Sequence, residues 1–192
     1  GVVEWPVFAA SATMLLLFGG GLGVLSGGRT ERTGSREAFL LTVLVWVVLP
    51  AMAAIPFMGI GMSFTDAMFE SISGLTTTGS TVMTDLDEQP RGILLWRAIL
   101  QWFGGIGIIV TAIAILPMLR VGGMQLFQLE SSDVAGKFMP RIGEISAQIG
   151  MIYLFISVCC ALAYMLSGMH TYEENAHAMT TVAAGGYSTY EQ

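Results

Sequence analysis

The chain has 192 residues, is 54% apolar by residue type, only 11% charged, and carries a net charge of −6. Such a composition excludes an ordinary soluble domain and makes the lipid bilayer the solvent to reason in. The basic residues are sparse and lack interleaved aromatics, which excludes a nucleic-acid surface.

Four apolar stretches, 6–26, 36–58, 92–119 and 143–168, are long enough to cross a bilayer, which takes about 20 residues each. In the first, Glu4, Trp5 and Pro6 fit an outer interface, where indole rings settle. Gly19, Gly20, Gly21 and Gly23 look like a dinucleotide loop only superficially. No strand precedes them and no acidic residue follows at the required distance, so close helix packing is expected there instead. No signal peptide is visible ahead of this stretch, because Gly1–Pro6 has no basic n-region. With Gly1 in place of Met and an end at Gln192, the chain reads as a piece of a longer protein.

The second stretch carries Pro50 and Pro56, which are expected to bend its outer end. The third contains Gly104, Gly105 and Gly107, which permit close approach of a neighbour or a bend, and Pro117, which ends it. Arg97 is expected either to snorkel outward or to pair with a carboxylate of the acidic outer segments. The connection 120–142 is amphipathic and suits a cytoplasmic interface or a partner's surface. In the fourth, Cys159 and Cys160 are adjacent on a helix and point about 100° apart, so they are poor disulfide partners and read as small packing residues. Arg29, Arg32 and Arg36 flank one connection and Arg120, Lys137 and Arg141 the other, which places both on the cytoplasmic side. Glu4, Asp66, Asp85, Asp87, Glu88, Glu173 and Glu174 then face the outside.

A short segment occurs twice. Residues 63–81 read SFTDAMFESISGLTTTGST and residues 171–189 read TYEENAHAMTTVAAGGYST. Superposing Gly79 on Gly186 also places Asp66 on Glu173. Ser63 with Asp66, and Thr171 with Glu174, have the spacing of a helix N-terminal capping box. Each segment predicts a helix too short to span a bilayer, followed by a loop that leaves helical geometry. The helix C-terminus favours a cation by its dipole, and the loop can present backbone carbonyls to a dehydrated ion. Candidate ligands are the carbonyls of Thr76, Thr77, Thr78 and Gly79 and of Ala183, Ala184, Gly185 and Gly186. The threonine hydroxyls either add a ligand layer or bond the short helix. Asp66 and Glu173 read either as solvated charge or as an outer vestibule that concentrates cations. His170 and His177 lack ligand partners at metal-binding spacing and read as packing or hydrogen-bonding residues.

These features bear directly on family. SGLTTTGST (73–81), QWFGGIGIIV with AILPML and VGGMQL (101–126), PRIGE (140–144) and AAGGYST (183–189) together resemble Trk-type potassium uptake proteins. These are the membrane subunits of the Trk/Ktr/HKT superfamily, and the TrkH/TrkG branch is the nearest fit. The resemblance implies an all-α membrane protein built from helix–pore helix–loop–helix repeats around one potassium pathway. Residues 1–30 would then be a preceding transmembrane helix and 36–119 the first pore repeat. Residues 120–142 would be the cytoplasmic connection and 143–192 a second repeat lacking its last helix. It further implies K+ as the transported ion, no cofactor, and a multi-pass location in the bacterial inner membrane. The implied partners are a second copy of the protein in a homodimer and a cytosolic TrkA-type nucleotide-binding regulatory subunit. Sodium or another monovalent cation on the same scaffold is the alternative. An intramembrane hydrolase using Ser80 or Ser188 is a remoter one, since such a nucleophile needs a base within reach.

Overall fold

The structure, a computed structural model, describes residues 5–25, 35–115, 135–167 and 171–187. These residues form helices and connecting turns. The helices are α1 (Trp5–Leu25), α2 (Ser35–Ala53), α3 (Ile55–Gly59), α4 (Phe64–Leu75), α5 (Arg91–Ile115), α6 (Ala135–Leu166) and α7 (Thr171–Val182), with a 3-10 turn at Leu86–Glu88.

Among the described residues, three spans, Phe39–Gly59, Arg91–Ile113 and Glu144–Leu166, are long and apolar enough to cross a membrane. Their outward surfaces are oily: Leu40, Leu44 and Val47 on α2 and Leu154, Phe155 and Leu162 on α6 are all exposed. Side chains like these are stable only against lipid or further protein. The first expected span forms helix α1, but its apolar part, Pro6–Gly21, is shorter than the other three.

α5 is the hub and packs against α2, α4, α6 and α7. The buried core joins Ala53, Ala54 and Phe57 of the α2–α3 junction, Ala67 and Leu75 of α4, and Ile93, Leu94 and Leu100 of α5. The bend expected from the prolines is a break at Ala54, after which Pro56 sits in the first turn of α3. Proline is tolerated at that point because its missing N–H has no intrahelical partner to lose. The Trp96 indole donates to the Ala53 carbonyl at 3.1 Å beside the break.

Two expectations need correction. Beta-carbons built at Gly19, Gly20, Gly21 and Gly23 would meet nothing within 4 Å, so no described helix packs closely there. The reason is placement: α1 seats its N-terminal end, where Gly59 leaves room for Val7 and Phe8 stacks edge-on against Trp96. The connection expected over 120–142 is helical from Ala135 onward, and residues 116–134 lie outside those described. α6 thus has 32 residues. At about 1.5 Å per residue it is longer than the roughly 30 Å hydrocarbon core, so its N-terminal turns extend beyond the membrane interior.

Gly104 and Gly105 of α5 behave as expected, while Gly107 makes only an ordinary contact with Trp46. Gly104 lets the Leu75 carbonyl at the end of α4 lie directly on α5, where any Cβ would overlap it. Gly105 does the same for the Tyr153 hydroxyl of α6. A Gly104→Ala protein is therefore expected to lose about 1–3 kcal/mol of stability through overpacking, measurable as earlier thermal unfolding in detergent.

Candidate ion filter

α4 and α7 have 12 residues each. At about 1.5 Å per residue each is roughly 18 Å long, well short of a membrane span. α4 starts as its sequence predicts. Ser63 is the N-cap, accepts from the Asp66 N–H at 3.2 Å, and donates its own hydroxyl to the Asp66 carboxylate at 2.8 Å. Asp66 is exposed in the first turn. Glu173 sits in the first turn of α7, and its side chain lies outside those described, as do those of Thr171 and Glu174.

Both short helices end in the same way. Thr77 N–H bonds to the Gly74 carbonyl and Thr78 N–H to the Ser73 carbonyl. Ala184 N–H bonds to the Thr181 carbonyl and Gly185 N–H to the Thr180 carbonyl. Each pair of bonds is a Schellman termination, which requires a left-handed residue just past the helix. Thr77 (φ 56°) and Ala184 (φ 54°) fill that place. These are not glycines, so each holds backbone strain of about 1–2 kcal/mol. Two residues later, Gly79 (φ 79°) and Gly186 (φ 70°) are left-handed again, while Thr78 and Gly185 between them are not. The superposition of Gly79 on Gly186 read from the sequence is thus the register in which hydrogen bonds and dihedral signs both repeat.

The two loops touch. A Cβ on Gly79 would overlap the Gly185 carbonyl oxygen. Thr78, Ala184 and Gly186 are exposed, Thr76, Thr77 and Gly79 partly so, and Ala183 and Gly185 are buried. Gly185 is tied to its surroundings: its carbonyl accepts from Gln101 Nε2 at 3.0 Å and faces Gly79. That oxygen joins the loops. The threonine hydroxyl question has a local answer for Thr76, which donates to the Ile72 carbonyl at 2.8 Å and lies 2.7 Å from the Thr78 hydroxyl.

Behind the loops lies a polar network that the sequence reading did not assemble. Arg97, buried on α5, pairs with Glu70 of α4 at 2.7 Å. Its partner is therefore in the short helix itself rather than in the acidic outer segments. The same carboxylate accepts from Thr81 Oγ1 at 2.9 Å and Val82 N–H at 3.2 Å, which fixes the chain leaving the first loop. Tyr187, from the second loop, donates its hydroxyl to the Glu70 backbone carbonyl at 3.1 Å. Its ring lies 4.0 Å beneath the Arg97 guanidinium, a cation–π contact. An arginine buried inside an apolar span needs a carboxylate or carbonyl partner. Glu70 shares the buried face of α4 with Ala67, Ser71 and Gly74 at helical spacing, and that is the signal by which it could have been found.

The His177 ring lies beside that of Tyr164, tilted by 50° with ring centroids 6.2 Å apart. His170 and Ser188 lie outside the described residues. Cys159 and Cys160 form no disulfide.

Known proteins of the same build were found by sequence and by shape. A sequence profile of the TrkH family, described as cation transport protein, matches residues 5–192. The Trk system potassium uptake protein TrkH of Escherichia coli (strain K12) is 48% identical over 162 residues, covering 82% of this chain and 34% of that protein. The Trk system potassium uptake protein TrkG of the same strain is 33% identical over 199 residues, covering 98% of this chain and 40% of that protein. The crystal structure of the potassium transporter TrkH from Vibrio parahaemolyticus superposes with a TM-score of 0.81 at 41% identity, over 96% of this chain and 37% of that one. The chain spans about a third of the length of the curated relatives it matches. The names of these relatives describe potassium uptake and transport, and none names a hydrolase. By sequence profile, by identity and by fold, this all-α membrane chain belongs to the TrkH cation transport protein family.

Proposed function

We propose that the chain forms part of a transmembrane potassium pathway, in which the loops at Gly79 and Gly186 replace the hydration shell of K+ with backbone carbonyls. The observation that carries this reading is the repeated left-handed pair, Thr77 with Gly79 and Ala184 with Gly186, in two loops that touch. Neutral carbonyls suit conduction because they bind weakly enough to release the ion. The ligand set is Thr76, Thr77, Thr78 and Gly79 with Ala183, Ala184 and Gly186, while Gly185 serves as the contact between loops. Asp66 and Glu173, at matching places in the first turns of α4 and α7, lend negative potential to the outer mouth.

In this reading residues 36–119 are one pore repeat, 143–192 the start of a second, and 1–30 a helix outside the ring. Two loops do not encircle an ion, so the complete pathway needs the further repeats that the longer relatives have room for. The names of those relatives describe a Trk potassium uptake system. By resemblance to that system the working assembly is a homodimer in the bacterial inner membrane with a cytosolic TrkA-type nucleotide-binding subunit. The test is flux by the full-length protein in vesicles under opposed gradients of K+ and Na+. Preference for K+ is expected, and equal or reversed preference removes potassium as the cargo in favour of sodium or a non-selective path.

A further inference from the structure

Gln101 is 0% exposed within an apolar span of α5. A buried amide is costly unless both of its ends are bonded. Both are bonded here, and both bonds leave the repeat that contains Gln101. Nε2 donates to the Gly185 carbonyl at 3.0 Å, and Oε1 accepts from the Tyr187 N–H at 3.4 Å. The two contacts bracket Gly186, so one side chain sets the orientation of the peptide planes on either side of it. The fit is close: a Cβ on Gly185 would overlap the Gln101 amide. The same Gly185 oxygen lies against Gly79, so the position of Gln101 reaches both loops.

Arg97, one helical turn earlier on the same face, grips the same two loops through Glu70 and the Tyr187 ring. Its grip is ionic and lies behind the loops. Gln101 is neutral and in direct contact with the filter backbone, so it holds the carbonyls without adding charge near a cation.

The geometry points to Gln101 as a positioning residue for ion selectivity: it bridges Gly185 and Tyr187 and so fixes the peptide planes on either side of Gly186. This rests on the filter reading above. Discrimination between ions depends on oxygens held to within about 0.5 Å by supporting groups. A loosened Gly186 accepts a smaller ion as readily as a larger one.

The test is the ratio of K+ to Na+ uptake by the full-length protein in vesicles for wild type, Gln101→Met and Trp102→Phe. Methionine keeps the length and fills the space but cannot make the two bonds. The Gln101→Met ratio is expected to fall about tenfold, equivalent to about 1.4 kcal/mol, with Na+ flux retained. Trp102 is the neighbouring residue but bonds Ser157 of α6, not a loop, and its phenylalanine variant is expected to keep the wild-type ratio. An unchanged ratio in Gln101→Met, or loss of both fluxes together, overturns the proposal. Should that variant fail to reach the membrane, Gln101→Leu also removes both bonds without adding charge, and the same ratio decides. Gly79→Ser assayed alongside separates the two levels. A shift there without one in Gln101→Met removes Gln101 and keeps the filter, whereas no shift in either removes both.

Discussion

A Gly79→Ser protein is expected to lose K+ over Na+ discrimination by a factor of about ten or more, as a ratio change worth at least about 1.4 kcal/mol. Two effects act together. A residue with a Cβ is strained at φ 79°, and that Cβ would overlap the Gly185 carbonyl. Relief comes by turning the peptide or by pushing the second loop away, and either moves carbonyls off a shared axis. Gly186→Ser makes a useful contrast. Its φ is 70°, but a Cβ there meets nothing within 4 Å, so strain acts without collision. The smaller shift is expected from that variant. Equal selectivity in Gly79→Ser and wild type, by uptake of the two ions in the full-length protein, would remove Gly79 from the filter.

The largest stability effect is expected at Arg97. Arg97→Leu leaves the Glu70 carboxylate at 0% exposure without its cation. Breaking a buried pair from one side typically costs about 3–5 kcal/mol, because the remaining charge is uncompensated. The same change removes the guanidinium from the Tyr187 ring, so both loops lose an anchor. Adding Glu70→Gln removes the stranded charge while keeping an acceptor for Thr81 or Val82. The double variant is expected to recover part of the lost thermal stability. Equal unfolding temperatures for Arg97→Leu and wild type in detergent would show that the pair does not brace the fold.

The large features were legible because they rest on simple physics. Spanning helices declare themselves by unbroken apolar length: the second stretch became α2–α3, and the third is α5 as far as the described residues reach. The paired loops were visible because residues 63–81 and 171–189 both carry a short helix followed by glycine, although Thr171, expected as a cap, is the first residue of α7. The register chosen there is the one in which the Schellman bonds repeat. What stayed hidden depends on tertiary context. Propensity assigns left-handed positions to glycine, so Thr77 and Ala184 gave no sign that they hold them. The fourth stretch reads from 143, yet α6 begins at Ala135 and runs through Gly136 and Pro140. Arg97 announced the need for a partner without naming it, since Glu70 is one of several acidic residues upstream. Gln101 enters only as the first residue of the QWFGGIGIIV motif, with no role attached. Its meaning comes from Gly185 and Tyr187, far along the chain, and only folding brings them within hydrogen-bond reach.

The most direct test of the shared carbonyl axis is crystallography of the full-length protein grown in Rb+ or Tl+, with anomalous scattering locating the ion. The ion is expected in direct coordination with backbone oxygens from both loops, including those at Gly79 and Gly186, and displaced from the buried Gly185 oxygen. Anomalous density bound elsewhere, with neither loop turning its carbonyls to an ion, would contradict the account.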